Sequence, residues 1–127
     1  MIHEEICTYE VCKLAKEKGF PQHIGNDAYI VDNEYDDKYE VGCHYPIQFI
    51  PDYLPTIVAP TQSLLQRWLR EEKNIDIAIV PLYTGGYSYI VYNIHCRDNR
   101  VVNTNAGYAT YELALEDALK YALEKLV

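Results

Sequence analysis

The spacing of apolar residues indicates amphipathic helices in three parts of this chain. In TYEVCKLAKEKGF, Val11 and Leu14 lie at helical spacing behind Thr8, a residue type that caps helix N-termini. Gly19 follows where a helix commonly ends in the left-handed conformation, which predicts a helix over 9–18. In TYELALEDALKYALEKL, apolar residues again recur on one side behind a threonine cap, which predicts a helix over 110–126.

The second helical segment, APTQSLLQRWLREEKNI, carries the only tryptophan of the chain. Pro60 suits a first helical turn and Asn74 a helix stop, so a helix is predicted over 61–73. Its apolar stripe consists of Leu64, Leu65, Trp68 and Leu69. We expect that stripe to pack on the core and the opposite side to face solvent. The opposite side consists of Gln62, Gln66, Arg67 and Arg70.

Alternation with a period of two predicts strands after the second helix. In IDIAIVP, isoleucines alternate with residues that are only mildly apolar, and TGG separates this segment from the apolar YSYIVYNIHC. The two segments predict an antiparallel hairpin over 75–96. Shorter strands are predicted near 28–31, 39–41 and 101–103.

Four prolines between residues 44 and 60 exclude helix interiors and central strands from that segment. The segment is therefore predicted to be a loop. Because it is also rich in apolar residues, we expect the loop to lie on the core. These residues are Ile47, Phe49, Ile50, Tyr53, Leu54 and Ile57.

Three helices and several short strands are most simply combined as an α+β fold. A small antiparallel sheet, with the hairpin at its centre, is packed by the helices in two layers. A chain of 127 residues fits one domain, so residues 1–127 are predicted to form a single domain.

The charge of the chain bears on its partners. With 19 acidic and 11 basic residues the net charge is −8, which opposes binding to nucleic acid because phosphate contacts require Lys or Arg. An acidic surface suits solubility or a basic protein partner, and a further hypothesis is an acidic mimic of DNA that inhibits a nucleic-acid enzyme. The N-terminus lacks the features of a secretory signal and no apolar run approaches a membrane span, so we expect a cytoplasmic protein without membrane contact.

Candidate metal ligands occur as two adjacent pairs, Cys43 with His44 and His95 with Cys96. Together they would supply a two-Cys, two-His zinc set, as a zinc-binding module or a metal-dependent enzyme. Adjacent residues on a strand point to opposite faces, however, and paired zinc ligands usually have two to four residues between them. Buried cysteines and exposed histidines are the simpler interpretation. The acidic run after residue 32 lacks the glycine and the carboxylate that a calcium loop of the EF-hand type requires.

No other motif indicates catalysis or a cofactor. Phosphate-binding glycine patterns are absent from the sequence, and no strained elbow presents a nucleophile. The sequence therefore favours a non-enzymatic protein with no cofactor.

The 13 tyrosines are an unusual feature beside only 2 phenylalanines. Tyrosine combines a large apolar ring with a polar hydroxyl and is common in interfaces. We expect an interaction surface on the hairpin and on the polar side of the second helix, for a protein partner or a second copy of the chain. Its residues are Tyr83, Tyr87, Tyr89, Tyr92, Gln62, Gln66 and Arg70.

Two motifs together resemble a known group of proteins. The segment from Pro60 to Glu71, PTQSLLQRWLRE, and the opening TYE of the last helix are similar to small proteins encoded in phages and prophages of gut Bacteroidales bacteria. The resemblance covers the start of the chain and nearly all of 59–126, but not the proline-rich loop. It implies a phage-related origin and a shared fold, and it brings no catalytic residues.

Overall fold

The computed structural model describes residues 4–34, 38–94 and 100–127, which form three helices and two three-stranded antiparallel sheets. This confirms the predicted α+β class. These residues divide into two compact units. The N-terminal unit is Ile6–Thr61, and the C-terminal unit consists of Gln62–Val127 together with Glu4 and Glu5. The prediction that residues 1–127 form a single domain stays a prediction.

The N-terminal unit consists of one helix and a small sheet. Its elements are α1 (Tyr9–Glu17), β1 (Asp27–Ile30), β2 (His44–Pro46), a 3₁₀ turn (Ile47–Phe49) and β3 (Thr56–Ala59). The strand order is β2-β1-β3, and α1 packs on β3. One face of this small core is formed by Val11, Cys12 and Ala15 of α1, each at most 1% exposed.

The ends of α1 follow the predicted capping signals. Thr8 Oγ1 accepts a hydrogen bond from the Val11 amide at 3.4 Å. Gly19 has a φ of 97°, and the Phe20 amide donates to the Ala15 carbonyl at 2.8 Å, which satisfies a carbonyl of the last turn. Phe20 is buried, so the chain folds back onto the helix that it leaves.

The structure corrects two predictions in the N-terminal unit. The strand predicted near 39–41 is wrong, because that segment is a turn and β1 pairs instead with His44–Pro46, Ala28 lying opposite Tyr45. The predicted loop 44–60 contains two strands. Pro46 ends β2 and Pro55 and Pro60 flank β3, and both strands lie at sheet edges, where a missing amide is tolerated.

The C-terminal unit places two helices on one face of a sheet. Its elements are α2 (Gln62–Glu72), β4 (Ile75–Pro81), β5 (Tyr87–Asn93), β6 (Arg100–Tyr108) and α3 (Tyr111–Lys125). The strand order is β4-β5-β6; α2 packs on β4, and α3 packs on all three strands. The predicted hairpin is formed by β4 and β5, with Ile77 opposite Val91. The core facing α3 contains Ile75, Ile77, Tyr89, Val91, Ala114, Leu115, Ala118, Leu119, Ala122 and Leu123.

Two C-terminal elements differ from the prediction in detail. The buried side of α2 is rotated toward its glutamines: Leu65 and Leu69 are fully buried, whereas Leu64 and Trp68 are half-buried. Strand β6 runs over nine residues and is therefore longer than the predicted strand 101–103. Its asparagines and Gly107 continue the strand, which contains two bulges. In the described part of the chain, no helix has the length and apolar character to cross a membrane.

Candidate interaction surface

The hairpin tyrosines do not form one surface. Tyr87 and Tyr89 point toward α3, where Tyr89 is 3% exposed and Tyr87 meets the ring of Tyr111 edge-on with centroids 6.2 Å apart. Tyr92 lies on the other face of β5, and Tyr83 is fully exposed in the turn between β4 and β5. The prediction that Tyr89 belongs to an interaction surface is therefore wrong, because α3 covers that side of the sheet.

Tyr89 belongs instead to a polar network between the sheet and α3. Its hydroxyl accepts a hydrogen bond from Asn103 Nδ2 at 2.7 Å, and its ring lies 5.8 Å from that of Tyr108. The Tyr108 hydroxyl donates to Asp117 of α3 and accepts from Asn105 Nδ2 at 3.0 Å. Burial, followed by the Asp117 carboxylate, raises the pKa of both tyrosines. The network holds β6 to α3 with both phenols protonated at neutral pH.

The predicted polar side of α2 is partly internal. Gln62 is 4% exposed, and its Nε2 donates to the Glu112 carbonyl at 2.9 Å and to Glu116 Oε2 at 2.7 Å. Gln66 Nε2 donates to the Ile77 carbonyl at 2.9 Å. The prediction that Gln62 faces solvent is wrong, because α3 supplies acceptors for its amide. Gln66 is half-buried, and Arg67 and Arg70 are exposed as predicted.

A shallow cleft of about 150 Å³ opens beside Gln62. Its polar walls carry Glu4, Glu5 and Glu112, with Ser63 Oγ donating to Glu4 Oε1 at 2.8 Å. The carboxylates make the cleft acidic, and Gln62, Ser63 and Glu4 are engaged in hydrogen bonds within the unit. We therefore do not assign a ligand to it.

The opposite face of the β4-β5-β6 sheet carries apolar side chains that no helix of this unit buries. Because Ile75, Ile77, Tyr89 and Val91 point to the helices, the alternate residues point away from them. We call this the open face; its residues are Asp76, Ala78, Val80, Ser88, Ile90, Tyr92, Val101, Thr104 and Ala106. They are half-buried or exposed, with Val80 at 38% and Val101 at 51% exposure.

The β4 edge of the sheet is partly protected against further strand pairing. The Ile94 amide donates to the Asn74 carbonyl, which sets the register and turns the main-chain groups of Ile77 outward. The Ile77 amide then donates to Asp76 Oδ1 at 3.0 Å, and Gln66 occupies its carbonyl. Pro81 offers no amide. These groups block the row that an added strand would use.

The β6 edge is also protected, although by a different device. The pairing of β5 with β6 shifts at two points, so that Val102 and Gly107 are extra residues in β6. Such bulges twist an edge strand and interrupt its regular row of amides and carbonyls. Between the bulges, the Ala106 amide donates to Asn105 Oδ1 at 2.9 Å. An incoming protein therefore finds the open face more accessible than either edge.

The predicted zinc ligands fall partly outside the described residues. His95 and Cys96 lie there, and the described residues contain no group of three His, Cys, Asp or Glu side chains arranged for a metal. Cys43 Sγ donates to Glu40 Oε2 at 3.5 Å, whereas His44 Nδ1 lies 2.8 Å from Asp27 Oδ2. The hydrogen bond to Glu40 raises the pKa of the Cys43 thiol, which opposes thiolate chemistry.

Sequence reasoning missed the residues that make up most of the open face. The sequence predicts Val80 and Ile90 in strands, but the predicted interaction surface consists of hairpin tyrosines with Gln62, Gln66 and Arg70. A usable signal was present, since IDIAIVP places alanine and valine at the positions between its isoleucines. A strand exposed to water on one face normally carries polar residues at such positions.

Comparison of the chain with protein-family models, curated proteins and solved structures gave no match.

Proposed function

We propose that this protein is a non-enzymatic accessory protein of phage or prophage origin that acts through protein–protein contacts. Its open face associates with a second copy of the chain. The observation that carries the proposal is the open face itself, where exposed valines flank Ile90 and Tyr92 on a rigid sheet. The phage origin rests on the resemblance of the PTQSLLQRWLRE and TYE motifs.

Charge favours a second copy as the occupant. The chain has a net charge of −8, so most ways of bringing two copies together place like charges near each other. The open face lessens this repulsion because Asp76 is the one charged residue among the described residues that form it. Two copies stacked face to face would bury the valines and Ile90 at the usual spacing of packed sheets, about 10 Å.

The size of the face limits the strength of this association. Three strands of about seven residues cover roughly 14 Å by 23 Å, given strand spacings near 4.8 Å and a rise near 3.3 Å. A stable interface buries about 800 Å² on each partner, so this face by itself supports a weak dimer. We expect a dissociation constant between about 100 µM and about 1 mM, within the range that the concentration series covers.

Sedimentation equilibrium tests the proposal. The wild-type protein is expected to show a monomer–dimer equilibrium as its concentration rises from about 10 µM to about 1 mM. Val80→Glu combined with Val101→Glu is expected to remain monomeric, because the substitutions place like charges on the open face. Both positions are exposed enough to accept glutamate without loss of the core.

A matched variant shows whether any loss of dimerisation is specific to the open face or results from added negative charge in general. Ile24→Glu with Leu113→Glu makes the same chemical change at positions of 38% and 55% exposure outside the open face. This control is expected to dimerise like the wild type. A wild type that stays monomeric at about 1 mM, or a control that loses dimerisation equally, contradicts the proposal.

A further inference from the structure

An acidic, apolar loop in the N-terminal unit forms a second exposed patch. We call residues 47–53 the docking loop. Phe49 is 62% exposed and Tyr53 is 64% exposed, and Ile47 is 42% exposed. The predicted loop 44–60 lies on the core at Leu54 and Ile57, but the Phe49 and Tyr53 side chains of the docking loop point to solvent. Large exposed apolar side chains of this kind mark interaction sites.

The main chain of the docking loop is held firmly. The Ile47 amide donates to the Asn26 carbonyl at 2.9 Å, and Tyr39 Oη donates to the Phe49 carbonyl at 2.6 Å. Below the loop, Ile30, Tyr39 and Leu54 form a buried cluster against which Ile50 packs. The aromatic rings are thus presented on a preorganised support, which lowers the entropy that a partner must overcome on binding.

The surroundings of the loop are acidic. Over residues 27–55 the described part of the chain contains five acidic residues, Asp27, Asp32, Glu34, Glu40 and Asp52, and a single basic one, Lys38. Asp52 lies within the loop, and Glu40 follows Tyr39, whose hydroxyl holds the Phe49 carbonyl. The same face on a second copy would repel these carboxylates, so self-association does not suit this patch.

We propose that the docking loop binds a different protein, one that offers an apolar pocket surrounded by Lys or Arg. Phe49 and Tyr53 occupy the pocket, as aromatic anchors do in interfaces, and Glu40 and Asp52 pair with the basic rim. The inference is independent of the open face, which lies in the other unit and serves a second copy of the chain.

Selection from a displayed library of random 12-residue peptides on the immobilised full-length protein tests the inference. Enriched peptides are expected to carry net positive charge together with aliphatic or aromatic residues. Their dissociation constants are expected to rise about tenfold or more for Phe49→Ser combined with Tyr53→Ser, the size of effect seen for interface anchors. Both positions are exposed, so this variant keeps the fold.

Two further variants make the result specific. Ile94→Ser with Leu113→Ser removes exposed apolar side chains of the C-terminal unit and is expected to leave peptide binding unchanged. Glu40→Gln with Asp52→Asn is expected to weaken binding at low salt and to reduce its salt dependence. Failure to enrich any peptide, enrichment of neutral or acidic peptides, or equal binding to the Phe49 and Tyr53 variant overturns the inference. Dimerisation that is lost with Phe49→Ser would assign the loop to a second copy and would also overturn it.

Discussion

Gln62 shows how a single polar side chain fixes the contact between two helices. It is 4% exposed, and its amide donates both to a main-chain and to a side-chain oxygen of α3. A buried amide is stable only while its hydrogen bonds are made, because its desolvation is otherwise uncompensated. The residue therefore selects one arrangement of α2 against α3.

Replacing Gln62 should lower stability measurably. Gln62→Ala removes both hydrogen bonds and leaves a void beside Leu115, and we expect a loss of about 1–3 kcal/mol in the free energy of unfolding. Ser63→Ala, which removes an exposed hydroxyl one position away, should cost about 0.5 kcal/mol or less. Urea denaturation of the two variants measures these losses in the free energy of unfolding. Similar losses for both variants would contradict the role of the Gln62 hydrogen bonds in holding α2 against α3.

Tyr108 makes a second prediction at this scale, concerning high pH. Burial and the hydrogen bond to Asp117 raise the pKa of Tyr108 in the folded protein above its usual value near 10. Above pH 10 the unfolded chain releases this proton before the folded one does, so stability is fully present below pH 10 and is lost as pH rises beyond it. Tyr108→Phe should therefore lose less folding stability than the wild type as the pH rises above 10.

Absorbance at 295 nm and denaturation between pH 9 and pH 12 measure both effects. The wild type should contain tyrosines that ionise later than a free tyrosine, and Tyr108→Phe should contain one fewer of them. Its stability should also fall less steeply with pH than that of the wild type. Identical pH profiles for the two proteins would contradict the assignment of the network.

At the scale of elements, the hairpin turn and the second β6 bulge both depend on glycine. Gly86 has a φ of 83°, and an added Cβ would lie 2.8 Å from the Tyr108 carbonyl oxygen. Gly107 has a similar φ of 93°, but an added Cβ would meet no atom within 4 Å. Substitution of Gly107 would therefore cause backbone strain alone, whereas substitution of Gly86 would cause backbone strain and a steric conflict with β6.

Gly86→Ala should therefore destabilise the protein more than Gly107→Ala. The positive φ alone costs roughly 1–2 kcal/mol in either variant. In Gly86→Ala the backbone of β6 must also move away from β5, which adds to that cost. Thermal denaturation of both variants checks the difference, and a Gly107→Ala protein at least as unstable as Gly86→Ala would be the opposite result.

Elements with strong local signals were predictable, and those that depend on distant partners were not. Thr8 and Thr110 cap α1 and α3 as predicted, because a cap involves residues three positions apart. The burial of Gln62 could not be predicted in this way, since its acceptors are 50 and 54 positions away in the sequence. The pairing of β1 with β2 was missed for the same reason: Tyr39 and Val41 have strand-forming character, but Ala28 pairs with Tyr45.

The candidate surfaces were partly visible in the sequence. Surplus tyrosine predicts an interaction surface, and that function stays a prediction; sequence alone could not show which rings are covered. Tyr89 and Tyr92 are three positions apart on one strand, yet α3 covers the face of Tyr89 and leaves that of Tyr92 open. Exposure of Phe49 was likewise hidden, because apolar character usually indicates burial.

At the scale of the whole molecule, two units present surfaces of different character. The C-terminal unit carries the mostly uncharged open face, and both edges of its sheet are partly protected against strand addition. The N-terminal unit carries the docking loop with its acidic surroundings. We infer a protein with two separate contacts, one with its own copy and one with a basic partner, and the open face is the central element of the proposed function.

Methyl NMR over a concentration series tests that central element at individual residues. If the open face mediates self-association, the methyl signals of Val80, Ile90 and Val101 should shift as the concentration rises from about 50 µM to about 1 mM. Those of Leu119 and Leu123, which are buried under α3, should stay in place. Unchanged signals for the open face over this range, or shifts confined to other surfaces, would contradict the account.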